Sequence, residues 1–148
     1  MRDTLETRLK DAMRAKDEFS VLVLRGLLNA IHNREIEFKG QGREIDEESI
    51  LEVIAKEQKK RAEAARLYKD GGRNDLAHKE EKEAEFINQF LPAQLSDEEL
   101  AKEVKSAMAS FKNPTIKDMG AIMKEVMSKV KGRADGSRVS QRIKELLS

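Results

Sequence analysis

Apolar residues recur along this chain at intervals of three and four, and nowhere do they alternate one by one. That period belongs to amphipathic helices, whose buried stripe returns every 3.6 residues. A first helix is predicted from about Thr4 to Lys16, with Leu5, Leu9, Ala12 and Met13 on one face. Asp3 followed by Glu6 reads as its capping pair. A second helix, about Glu18 to Phe38, is the most apolar. Phe19, Leu22, Val23, Leu27 and Ile31 form one stripe, which Leu24 and Leu28 widen. Such breadth predicts the buried centre of a bundle. After KGQGRE (Lys39 to Glu44), a long third helix is predicted from about Glu47 to Lys69. It opens with Ile50, Leu51, Val53 and Ile54 and continues as the charged run KEQKKRAEAARLYKD. GGRN (Gly71 to Asn74) breaks it, and a fourth helix follows from about Leu76 to Phe90.

The segment LPAQLSDEEL is the expected domain boundary. Pro92 pushes Leu91 toward an extended backbone and stops the helix before it. Ser96 with Glu99 three residues on is a capping box for a fifth helix, which is expected to run to about Phe111. A sixth starts at Pro114 and Thr115, with Asp118 completing the cap. Met119, Ile122, Met123, Val126, Met127 and Val130 supply its apolar face. GRADG (Gly132 to Gly136) is a turn, and a last helix from about Ser137 to Leu147 carries Val139, Ile143, Leu146 and Leu147. The expected fold is therefore all-α: a four-helix domain over 1–95, then a smaller three-helix domain over 96–148.

Composition narrows the chemistry. With no cysteine, disulfides, thiolate zinc sites and cysteine nucleophiles are excluded. The opening MRDTLETRL has no apolar core of a secretory leader. Val21 to Ile31, the longest nearly apolar stretch, is too short to span a bilayer and contains Arg25. The expectation is a cytoplasmic protein without membrane contact. Charge is divided unevenly. Residues 1–95 hold 18 basic and 20 acidic residues, a net of −2, while 96–148 hold 11 and 8, a net of +3.

No catalytic motif is present. His32 and His78 lie far apart in sequence and read as ordinary helix residues, and no metal-ligand spacing such as HExxH occurs. The carboxylates of EIE (Glu35 to Glu37) and KEEKEAE (Lys79 to Glu85) read as solvated helix faces paired with lysines. No cofactor and no metal are expected. Two basic groupings remain. In GRADGSR, Arg133, Gly136 and Arg138, with Arg142 one turn on, stand at a helix start. Free backbone N–H groups there attract phosphate, and arginines add charged hydrogen bonds; a pair of turn glycines is the plainer alternative. On the third helix, Lys56 and Lys60 share a side with Lys59 and Arg66, and Arg73 follows in the turn. Acidic neighbours dilute that stripe. With Tyr68 the one tyrosine and no tryptophan, base-stacking platforms are scarce. Gly120 sits inside an otherwise continuous helix, in KDMGAIM (Lys117 to Met123). A mid-helix glycine costs about 1 kcal/mol relative to alanine. It reads either as a close approach of the last helix or as part of a docking surface.

At these segments the chain resembles the GatB/YqeY family, in particular its stand-alone YqeY-like proteins. The likeness is carried by LRGLLNAIHNREIE (Leu24 to Glu37), IAKEQKKRAEAARLYKDGGRNDLAHKEEKEAEFINQFLPAQLSDEEL (Ile54 to Leu100), KDMGAIMKEVM (Lys117 to Met127) and GRADGSRVSQ (Gly132 to Gln141). One departure is Phe90 before Leu91 and Pro92, where the family more often has tyrosine. The resemblance implies two linked helical domains. It also implies that the C-terminal one is similar to the tail of the B subunit of the aspartyl/glutamyl-tRNA amidotransferase, which helps hold tRNA while the chemistry sits elsewhere. The implied function is a non-catalytic accessory that contacts tRNA or a protein of a tRNA-handling complex, through Lys117, Gly120, Lys124 and the GRADG turn. The alternatives are a protein-interaction module without RNA and an enzyme of the carbon–nitrogen ligase kind, a label that would rest on relatives rather than on residues found here.

Overall fold

The computed structural model describes residues 1–130 and 132–147. Among them the chain is all-α. Seven helices follow in order: α1 (Arg2–Arg14), α2 (Glu18–Gly40), α3 (Glu47–Asp70), α4 (Asn74–Asn88), α5 (Asp97–Met108), α6 (Met119–Val130) and α7 (Gly136–Leu147). A 3₁₀ turn, Ile116–Asp118, leads into α6. The chain divides into two compact units, Met1–Leu91 and Pro92–Ser148.

The first unit is a four-helix arrangement built on leucine and isoleucine. Leu5 of α1, Leu24, Leu27 and Ile31 of α2, and Ile54 of α3 are its fully buried side chains. Each such burial contributes about 1.5–3 kcal/mol. Ile87 of α4 and Phe90 after it close the core. α4 folds back along α3 and packs on it more extensively than any other pair of helices does. The α3–α4 turn needs Gly72 at φ +75°, the left-handed region that favours glycine. The caps of this unit differ from the one read in the sequence. Asp17 accepts the Ser20 N–H at the start of α2, and Asp46 accepts that of Ser49 at the start of α3. The expected Asp3–Glu6 cap does not form. α1 begins at Arg2, which places Asp3 inside the first turn rather than ahead of it.

α2 is less enclosed than its apolar breadth predicts. Val23, Leu24, Leu27 and Ile31 are buried, but Leu22 is 60% exposed and Phe19 37%. α2 lies against α1 and α3 and touches α4 only lightly, so one flank is left uncovered by the helices of its own unit. Near its C-terminus, Phe38 is buried with two guanidinium groups over its ring, Arg34 at 4.8 Å and Arg43 at 4.4 Å from the ring centre.

The second unit has its own core of Leu95, Leu100, Val104, Ala107, Ile122, Val126, Val130, Ala134, Val139 and Ile143. Its lead-in is strapped down. Leu95 N–H donates to the Arg133 carbonyl at 2.8 Å, and the Gln94 side chain donates to that of Gly132 at 3.1 Å. α5 starts with the full capping box of Ser96 and Glu99. It ends at Met108, short of Phe111, which packs from the following loop.

Candidate nucleic-acid and partner interface

The buried residues of α6 fix what it shows to solvent. Ile122, Val126 and Val130 recur at four-residue steps and turn inward. The opposite strip, Gly120, Ala121, Lys124 and Ser128, is exposed, and so is Lys117 in the 3₁₀ turn before it. Among the described residues, Lys117 and Lys124 make no ion pair. At the head of this strip the Thr115 N–H donates to Asp118 at 2.8 Å, which fixes where the helix begins. Gly120 is not a close-approach glycine: a Cβ placed on it would meet nothing within 4 Å. It stands as the second residue of α6, on the surface, so tight packing by the last helix is not its reason.

The GRADG turn is built differently from a phosphate cradle. Gly132 takes φ +80°, Ala134 is buried as an anchor, and Arg133 is exposed. The Asp135 carboxylate accepts the Ser137 N–H at 2.8 Å at the start of α7. The helix end expected to attract an anion therefore already holds one. Gly136 opens α7 with open space where a side chain would be. Arg138 donates to the Leu95 carbonyl at 2.9 Å and to Asp97 at 3.0 Å, so its guanidinium fastens the strap. Arg142 pairs with Glu145 at 3.2 Å. Of the three arginines grouped by sequence, Arg133 alone is exposed and unpaired among the described residues.

On the first unit, Lys56 and Lys60 are exposed one turn apart on α3, and Arg73 is exposed in the turn ahead of α4. Lys60 lies 3.4 Å from Glu57, and further along α3 Lys69 pairs with Glu81 at 3.0 Å. α4 thus lays acids beside the basic stripe. The KEEKEAE carboxylates do not all stay in solvent, contrary to the sequence reading. Glu83 is buried, and Glu80 nearly so. They lie across from Arg61, whose guanidinium is 3.5 Å from Glu80 and 3.4 Å from Glu83. A signal for this exists in the sequence: Ala77, Glu80, Ala84 and Ile87 keep the spacing of the inward face of α4.

The histidines form no site. His32 is exposed, 3.7 Å from Glu35, and His78 is exposed at the start of α4. Among the described residues no three of His, Cys, Asp or Glu come together to hold a metal ion. Glu35 is the hub of a small charged group. The Arg2 hydrogen bond at 3.1 Å, helped by the charges of Lys39 and His32, holds its carboxyl below the ordinary value. No helix among the described residues is long and apolar enough to cross a membrane.

Comparison with known proteins covers nearly the whole chain. The family model for Yqey-like protein matches residues 2–147. The altered inheritance of mitochondria protein 41, mitochondrial, of Lachancea thermotolerans is 32% identical over 135 residues, covering 88% of this chain and 68% of that protein. Its namesake in Clavispora lusitaniae is 33% identical over 127 residues, with 83% and 72% covered. That of Saccharomyces cerevisiae strain YJM789 is 31% identical over 129 residues, with 85% and 68% covered. The expectation of a cytoplasmic location is overturned by these relatives, each of which is named as mitochondrial. That expectation rested on the polar opening MRDTLETRL and on the shortness of the apolar stretches, and neither feature separates the cytosol from the interior of an organelle.

Proposed function

The chain belongs to the Yqey-like protein family, and from that membership we propose that it is a non-catalytic accessory whose second unit contacts tRNA, or a protein of a tRNA-amidotransferase-like assembly. Membership in the family supports the accessory role. The finer reading, contact with RNA, draws its support from the exposed face of α6. Lys117 and Lys124, which make no ion pair among the described residues, stand there on either side of a glycine with open space above it. Arg133, exposed and unpaired among the described residues, supplies a further cation in the same unit. Phosphate oxygens need cations that are not already neutralised, and a surface free of bulky side chains lets a backbone come close. Arg138 and Arg142 carry less weight in this reading because Asp97 and Glu145 hold them.

The test is tRNA binding by the full chain, followed by fluorescence anisotropy from about 50 to 200 mM salt, a range over which phosphate neutralisation weakens steeply. Lys117→Glu with Lys124→Glu should weaken the complex and flatten its salt dependence by roughly 0.9 in log–log slope for each phosphate no longer neutralised. No complex at the lowest salt ends the RNA reading. The small, flat strip of Gly120 and Ala121 supports a second reading, a protein partner seated on α6. A stoichiometric protein complex that Gly120→Leu disrupts, with no affinity for tRNA, would favour it.

A further inference from the structure

We propose that the cleft between α2, α3 and α4 of the first unit is a binding site for an aliphatic cation, an ammonium or guanidinium group on a short hydrocarbon stem. The cleft has a volume of about 290 Å³. Its apolar lining comes from Leu22, Val23 and Leu27 of α2 and from Ile87 of α4. Leu22 is 60% exposed, because the other helices of this unit leave this flank of α2 uncovered. Gly26 lies between these residues, and a Cβ built on it would meet nothing within 4 Å. A hydrocarbon stem thus finds both space and apolar surface.

The other side of the cleft is under-neutralised. Glu80 and Glu83 stand one turn apart on α4, with side chains only 15% and 9% exposed. One guanidinium, that of Arg61, serves both, from 3.5 Å and 3.4 Å. Charge-assisted hydrogen bonds are ordinarily about 2.7–2.9 Å long, so neither approach is a strong one. The Oε2 atom of Glu80 is out of contact with solvent and accepts no hydrogen bond among the described residues. Leaving a buried carboxylate oxygen without a donor is unfavourable, and a second donor-bearing cation would relieve it. Glu57 adds a third carboxylate to the lining, with Lys60 at 3.4 Å. Lys79 also lines the cleft, yet makes no ion pair with these acids. Anions are disfavoured by the carboxylates, and an ion without a stem leaves the apolar wall unused. Arg61 is 41% exposed, so its side chain has room to move aside as the ligand enters. Nothing in this inference rests on RNA binding, which concerns the other unit.

The test is an amide chemical-shift titration of the full chain at low salt. The probes are butylguanidinium, butylammonium, neutral butanol and the capped peptide acetyl-Ala-Arg-Ala-amide. Saturable shifts at Gly26, Leu27 and Glu83 with either butyl cation or the peptide, and none with butanol, are expected. Glu80→Gln and Glu83→Gln should each weaken the cation roughly tenfold, the worth of one charged hydrogen bond. Gly26→Leu should fill the cleft and abolish binding without touching an acid, which keeps the test valid if a carboxylate variant misfolds. Tighter binding of the peptide than of butylguanidinium would identify a polypeptide side chain as the natural source, and the reverse a free amine. The proposal is overturned if no cation gives saturable shifts, if butanol binds equally well, or if affinity is unchanged in both carboxylate variants.

Discussion

Glu35 shows how one side chain ties folding to pH. Its carboxylate accepts a hydrogen bond from Arg2 of α1 and lies near His32 and Lys39 on its own helix. The folded state therefore holds its acid form at bay, below the ordinary 4.5. Asp17 and Asp46 are lowered as well, each chiefly by the Ser20 or Ser49 it caps. A carboxyl depressed on folding stabilises the protein above its unfolded value, and the benefit is lost as pH falls through the folded value. Thermal stability is accordingly expected to be flat from neutral pH down to about 4.5 and to decline below it, as read by circular dichroism. Glu35→Gln should lower the plateau and lessen the acid-side decline. An unchanged curve would show that the bond to Arg2 contributes nothing to the fold. At this scale the Ser96–Glu99 capping box was legible beforehand, because it acts within its own turn. The partner of Glu35 on α1 was not, since it lies 33 residues away.

Among the elements, α6 carries the sharpest contrast between pattern and outcome. Its apolar spacing fixed the inward face, and Ile122, Val126 and Val130 fill it. Gly120 invited a reading of close packing, and the structure puts it on an open surface instead. Gly120→Ala should therefore fold without a clash and raise stability by up to about 1 kcal/mol, measured by chemical denaturation. If the same variant leaves tRNA or partner binding untouched, Gly120 has no place in the interface. If it weakens binding while stabilising the fold, the glycine is there for binding. α7 teaches the complementary point. A helix start beside two arginines looks ready for phosphate, but Asp135 caps it and Arg138 turns back to the strap at Leu95 and Asp97.

For the whole molecule, two separate cores set the expectation. The second unit, Pro92–Ser148, is the smaller, and small domains bury a lower share of their surface. Native-state hydrogen exchange should show the amides of Leu24, Leu27 and Ile31 protected at least roughly tenfold better than those of Ile122 and Val126, since protection tracks the free energy of opening. Equal protection would mean that the second core is as stable as the first. The sequence by itself determined the helices, their breaks at glycine and proline, most caps and the inward faces, because these depend on neighbours within a turn or two. Tertiary structure alone decided that Leu22 stays uncovered, that Glu80 and Glu83 sink beside Arg61, and that Leu95 joins the second core. Each of those outcomes depends on which surface another segment happens to cover, and a local pattern of polar and apolar residues does not encode that.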